Sequence, residues 1–240
     1  MRCIKFVLMA AIAATTILSC AKQDSILLVN TSDVVLKASQ EFTISTNNKA
    51  TFVSENENVA VVDQKTGVIT AVKVGETYID VVSGNHSSRV KVTVEGNYYT
   101  YDEPYLDFGM SRETLLSFYG TPYRMTEDNV SFFYWNAEVP YDGYTFKNGK
   151  LDGSYVVFHK DYLNEVGLFL GERYFLASEG TYVNDPVNPS LGIVISRQIN
   201  NDDYYRVSYM PYMPVLKGNE IPPEQIIDDI IPLFAPGTKI

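Results

Sequence analysis

Few residues in this chain of 240 are of the kinds that carry chemistry. A zinc site needs several histidine, cysteine or carboxylate ligands converging on one point. The sequence holds two histidines, His86 and His159, and two cysteines, Cys3 and Cys20, so no metal-ligand pattern emerges. His86 sits in Gly84-Asn85-His86-Ser87, which reads as a hairpin loop, and His159 follows an apolar strand where a turn should begin. No Gly-x-Ser-x-Gly elbow is present to expose a serine nucleophile, and no glycine-rich loop precedes a helix to cradle phosphate. Paired carboxylates could hydrolyse glycosides. Asp202-Asp203 and Asp228-Asp229 are adjacent, but the first pair falls in a turn, where Asp serves the backbone, and the second on the wet face of a short helix. Asn201-Asp202-Asp203 could hold calcium only weakly. The residues therefore predict no catalytic site, no metal site and no cofactor.

The thiol of Cys20 stands in a more telling context. Arg2 and Lys5 precede an apolar run of 13 residues from Phe6 to Leu18. A bilayer-spanning helix needs about 20 residues, so this run is the core of a signal peptide. It ends Ile17-Leu18-Ser19-Cys20, which resembles the lipobox of bacterial lipoproteins. The resemblance implies a diacylglycerol on the Cys20 thiol, cleavage just before it, and further acylation of the palmitate kind. Cleavage would remove Cys3 and leave one thiol without a partner in the chain, and acylation accounts for it. Each buried acyl methylene contributes about 0.8 kcal/mol, enough for two or three chains to hold a protein to a membrane. Ala21 is not the aspartate associated with inner-membrane retention, so the resemblance implies the outer membrane.

Removing Arg2 and Lys5 would take the formal charge from −10 to −12. Such an acidic balance argues against nucleic acid as a partner and against polybasic docking on anionic lipid.

Two composition regimes predict two domains. Of the 18 tyrosines only Tyr78 precedes residue 97. Residues 1–19 read as signal peptide and 20–25 as a polar tether. Residues 26–96 read as a Val/Ile/Thr-rich first domain, and 97–240 as an aromatic-rich second. Within the first, strands are predicted at 26–30, 34–37, 41–45, 51–53, 59–63, 67–72, 76–82 and 88–95. The last alternates cleanly, Val90, Val92 and Val94 against Arg89, Lys91 and Thr93, as a strand with one buried face must. Many short strands with no helical stretch imply a β-sandwich.

The run Phe52-Val53-Ser54-Glu55-Asn56-Glu57-Asn58-Val59-Ala60-Val61-Val62-Asp63, then Thr66-Gly67-Val68-Ile69-Thr70-Ala71-Val72-Lys73-Val74-Gly75, resembles the group 2 bacterial immunoglobulin-like domain of intimin- and invasin-type adhesins. Thr77-Tyr78-Ile79-Asp80-Val81 and Val90-Lys91-Val92-Thr93-Val94 complete the match. Phe52 stands where that family more often has tryptophan. The resemblance implies an immunoglobulin-like sandwich acting as a spacer or adhesive module without catalytic residues.

The second domain reads as α+β: an antiparallel sheet built from two helix-plus-strands repeats. Ser111 caps one predicted helix, with Leu115, Phe118 and Tyr119 on its apolar stripe and Gly120 as the stop. Tyr162, Val166, Phe169 and Leu170 form a second stripe ending near Gly171. Three strands are predicted after each, at 131–136, 143–147 and 154–159, then 181–183, 192–198 and 204–209. Leu115 matches Val166, Gly120 matches Gly171 and Tyr155 matches Tyr205 at offsets of 50 or 51, as in a unit used twice. The layout is similar to the fold of β-lactamase inhibitor protein and to C-terminal modules of some outer-membrane lipoproteins. That similarity implies binding of other proteins and fixes no residue. A last amphipathic helix, through Ile226, Ile227, Ile230 and Ile231, is predicted before Pro232.

The aromatics remain as candidate binding residues. Rings that are amphipathic suit contact surfaces, and Tyr134, Trp135, Tyr141, Tyr144, Tyr204 and Tyr205 are the candidates for a protein or glycan ligand. Two alternatives stay open at this level: a platform for a ligand, or aromatic pairs within the sheet. The expected protein is a lipid-anchored, non-catalytic binding or adhesion module. A structural or assembly component of an outer-membrane complex, or an inhibitor-like protein-binding domain, is the other reading.

Overall fold

The computed structural model describes residues 26–133, 139, 141–198 and 202–212. The expected signal peptide, Cys20 with its tether, Tyr134, Trp135 and the expected C-terminal helix lie outside the described residues.

Seven strands form the first domain: β1 Asp33–Lys37, β2 Glu41–Thr43, β3 Thr51–Ser54, β4 Ala60–Val62, β5 Val68–Ala71, β6 Gly75–Ser83 and β7 His86–Glu95. They make a four-stranded sheet, β1-β7-β6-β3, and a three-stranded sheet, β2-β5-β4. Val90, Val92 and Val94 point inward as their alternation requires, each at most 1% exposed. The expected first strand at 26–30 reduces to one bridge between Val29 and Thr46. β1 runs parallel to β7, an arrangement that alternation cannot reveal.

The Asp63–Gly67 turn explains part of the sequence pattern. The Asp63 carboxylate accepts from Lys65 N at 3.0 Å, Thr66 N at 2.7 Å and the Thr66 hydroxyl at 2.8 Å. Those bonds hold the carboxyl below its usual range. Gly67 follows at φ +73°, and a Cβ there would lie 2.5 Å from Ile44 O and 2.9 Å from the buried Phe52 ring. Only glycine meets both the left-handed backbone and the close approach.

Among its described residues the second domain is β-rich with two helices. α1 is Arg112–Tyr119, followed by β8 Arg124–Met125, β9 Asn129–Phe133, β10 Tyr141–Lys147 and β11 Lys150–His159. After a short 3₁₀ turn come α2 Leu163–Arg173, β12 Phe175–Ser178, β13 Thr181–Val183, β14 Leu191–Arg197 and β15 Tyr204–Pro211. Eight antiparallel strands lie in the order β12-β13-β14-β15-β11-β10-β9-β8. Both helices cover one face. Leu115 of α1 packs with Val130, Tyr144, Phe146 and Leu151. Val166, Phe169 and Leu170 of α2 pack with Val156, Phe158, Ile193, Val207 and Tyr209.

Several expectations change here. Each helix is followed by four strands and not three, because the outermost strands, β8 and β12, are too short and exposed to show a burial pattern. Ser111 does cap α1, its Oγ accepting from Thr114 N at 3.2 Å, and Gly120 ends it at φ +79°. Gly171, by contrast, lies inside α2, which continues to Arg173. Tyr155 and Tyr205 are not equivalent either. Tyr155 pairs with Ser208 while Tyr205 pairs with Phe158, so the two rings leave opposite faces of the sheet.

Candidate functional site

The strand registers sort the candidate tyrosines by face. On the helix-covered face lie Tyr144, fully buried, and Tyr205, half-buried against the α2 core. Tyr144 donates to Asp142 Oδ2 at 2.8 Å, and its hydroxyl meets that of Tyr119 at 2.5 Å. Burial raises the Tyr144 phenol far above its ordinary value. Tyr144 thus packs within the core, and Tyr205 lies partly against it.

Tyr141 and Tyr204 leave the opposite face, on which no helix lies among the described residues, and both are half-buried. Between them the register places two residues that the sequence reading passed over, Tyr155 and Arg206. Val157 pairs with both Tyr141 and Arg206, so those side chains flank one rung. The Arg206 guanidinium lies over the Tyr155 ring at 4.3 Å, and Tyr141 meets Tyr155 edge-on with centroids 6.4 Å apart. Tyr155 lies flat across Gly143, where any Cβ would occupy the space of the ring. Its hydroxyl is 3.2 Å from both Asn129 Nδ2 and Ser131 Oγ. His159 meets Tyr204 edge-on at 5.4 Å and keeps Asp161 3.2 Å away. The result is a cluster of rings and one guanidinium across β10, β11 and β15.

Chemically this cluster suits contact. Burial raises the Tyr141 phenol above its ordinary value, so at neutral pH it stays protonated. Tyrosine and arginine are the side chains most often found at the energetic centres of interfaces. Asp142, the fully buried carboxylate next to Tyr141, points to the other face. The Asp202-Asp203 pair sits in an exposed turn, with Asp203 bonded to Lys160 at 2.5 Å and Asp202 3.6 Å from Arg197. Among the described residues no group of three or more His, Cys, Asp or Glu converges as a metal site. No described helix is long and apolar enough to cross a membrane.

Arg206 could have been found from strand phase, but Tyr155 could not. Tyr204-Tyr205-Arg206 alternates, which puts Arg206 with Tyr204. β11, however, is buried on both faces from Leu151 through Phe158 apart from the half-buried Asp152, and its phase is silent.

A second feature joins the domains. The Glu172 side chain, 9% exposed, accepts from Asn97 N at 2.5 Å, Asn97 Nδ2 at 3.0 Å and Tyr98 N at 2.9 Å. Val74 N donates to Glu172 O at 2.8 Å, and Lys73 Nζ to Gly171 O at 2.6 Å. Tyr101 packs on Phe169 at 4.3 Å, and Tyr174 donates to Glu103 at 2.5 Å. The end of α2 thus clamps both the β5–β6 loop of the sandwich and the connecting segment.

Two facing sheets around an apolar core define the first domain as an immunoglobulin-like sandwich. Residues 22–94 match the family model of the bacterial Ig-like domain (group 2), and this segment is such a domain. Solved structures that resemble the chain include domains 4 and 5 of the S-layer protein SbsC, 19% identical, covering 29% of this chain and 51% of that one at a TM-score of 0.24. Domains 4–9 of SbsC are 13% identical over 79% of this chain and 27% of that one, at 0.26. Human protocadherin-24 EC1-2 is 11% identical over 55% and 83%, at 0.25. Likeness at these scores does not define a shared architecture. No curated protein matches the chain.

Proposed function

We propose that this is a lipid-anchored cell-envelope protein that carries a non-catalytic binding domain on an immunoglobulin-like stalk. Cys20 would bear the diacylglycerol, and the outer membrane would be its site. The second domain is read as two α+β units, each a helix followed by four strands, with β11 and β15 meeting at the middle of the sheet. One observation carries the binding reading. The face opposite the described helices gathers half-buried Tyr141, Tyr204 and Arg206 around Tyr155, which is itself buried against Gly143. That composition favours a protein or glycan ligand. The clamp at Glu172 gives some support to the other reading, a structural component that holds its domains at a fixed angle.

The test compares the full chain in cells with Cys20→Ala and with the double variant Tyr204→Ala, Arg206→Ala. Wild type is expected to sediment with membranes in high salt and the Cys20→Ala chain to become soluble. The double variant is expected to stay anchored and lose at least about tenfold in ligand affinity on a glycan and envelope-protein panel. A Cys20→Ala chain that still sediments in high salt would refute the anchor. Undiminished binding by the double variant would refute the site.

A further inference from the structure

Where the domains meet, a cleft of about 360 Å³ opens between them. Asn56, Asn58 and Lys73 line it from the sandwich, and Arg173, Asp185 and Asn188 from the second domain. That volume is within the range of small-molecule sites, roughly 300–1,000 Å³.

A census of donors and acceptors sets the kind of ligand. Asp185 Oδ1 already accepts from Val187 N at 2.7 Å and Asn188 N at 2.9 Å, and the Asn58 side chain also bonds this carboxylate. Asn56 Oδ1 accepts from Asn58 N at 3.1 Å. Both of these acceptors are therefore engaged, while the two cationic donors keep N–H bonds to spare. Lys73 has three N–H bonds and gives one, to Gly171 O, while its ammonium rests 4.9 Å over Phe175. Arg173 has five and gives one, from Nη1 to Phe169 O at 3.1 Å. Its nearest carboxylates, Glu103 and Glu172, are 4.0 Å away, beyond hydrogen-bond range, although its side chain is only 11% exposed.

We propose that this interdomain cleft binds a ligand by its carboxylate, with Arg173 and Lys73 as the donors and the Asn188 amide at the rim. Guanidinium is the side chain best shaped to take a carboxylate through two parallel bonds. Burial holds the Lys73 ammonium below its usual value, and an incoming anion would relieve that penalty. The three carboxylates Glu103, Glu172 and Asp185 outnumber the two cations, so donor geometry and not net field must make the site selective. Affinity is expected to be roughly millimolar. The carboxylate could belong to an acidic sugar or to the C-terminus of a peptide, and the probes separate the two.

The experiment follows the full chain by NMR during titration with glucuronate, with N-acetylalanine, and with their neutral counterparts glucose and N-acetylalaninamide. Saturable shifts at Val74, Asn188 and the Arg173 side chain are expected with at least one acid and with neither neutral compound. A response to glucuronate assigns the site to acidic saccharides, and a response to N-acetylalanine assigns it to peptide termini. Lys73→Met removes donors, while Asn188→Asp adds an anion at the rim without touching the bonds that join the domains. Each should raise the Kd at least about tenfold. The proposal is overturned by no saturable shift with either acid at tens of millimolar, by equal shifts from the neutral compounds, or by unchanged binding in Asn188→Asp.

Discussion

Replacing Glu172 by alanine should loosen the joint between the domains without unfolding either one. The side chain accepts three N–H bonds from Asn97 and Tyr98 while itself 9% exposed. Hydrogen bonds to a charged group are worth about 1.5–3 kcal/mol each when fully sheltered. Asn97 and Tyr98 are exposed, so water can replace the lost acceptor, and the whole set is worth about 2 kcal/mol. At about 1.4 kcal/mol per factor of ten, that is roughly a 30-fold shift toward the open joint. Val74 N–H reports it directly, because its acceptor, Glu172 O, lies in the other domain. Amide hydrogen exchange should show Val74 protection falling roughly 30-fold in Glu172→Ala, with the amide of buried Val92 unchanged. Equal Val74 protection in both proteins would refute the clamp. A parallel loss at Val92 would show that the variant unfolds the sandwich instead.

Two other perturbations test separate parts of the account. Gly67→Ala must accept a left-handed backbone and a Cβ against Ile44 O and Phe52, and should cost the sandwich about 3 kcal/mol in urea unfolding. Gly84→Ala shares the positive φ but has nothing within 4 Å, so it should cost only about 1 kcal/mol; equal losses would remove the steric argument. Glu103 is raised above its usual value, chiefly by burial and against the opposing pull of Tyr174 and Arg173. Its native state therefore holds the proton more tightly, and the stability this contributes is present below about pH 4.3 and lost as pH rises through the raised value. The unfolding free energy of wild type minus that of Glu103→Gln should fall across that window, and a flat or rising difference would contradict the assignment.

Strand positions and the buried stripe of Val90, Val92 and Val94 were legible because a sheet with one wet face leaves a period of two in the sequence. The Asn148-Gly149 turn between β10 and β11 follows a local rule as well, since both residues take positive φ, at 54° and 72°. What was hidden depends on pairing. Tyr144 and Tyr141 look alike in sequence, yet they lie three positions apart along a strand, so they leave opposite faces. Tyr155 seemed to answer Tyr205 at an offset of 50, but only register shows that this offset crosses the sheet. Glu172 and Lys73 gave no signal at all, because their partners are about 75 and 98 residues away. β8 and β12 were missed because edge strands this short bury nearly nothing.

The central claim is that the face around Tyr204 and Arg206, opposite α1 and α2, meets a ligand in the living cell. Site-specific photocross-linking tests it most directly, with Tyr204→p-benzoylphenylalanine on that face and Leu168→p-benzoylphenylalanine, 40% exposed on α2, as the control. Illumination of intact cells is expected to give a discrete adduct from position 204 and none from position 168. Adducts from position 168 alone, or none from position 204 in cells where the protein is anchored and folded, would contradict the account.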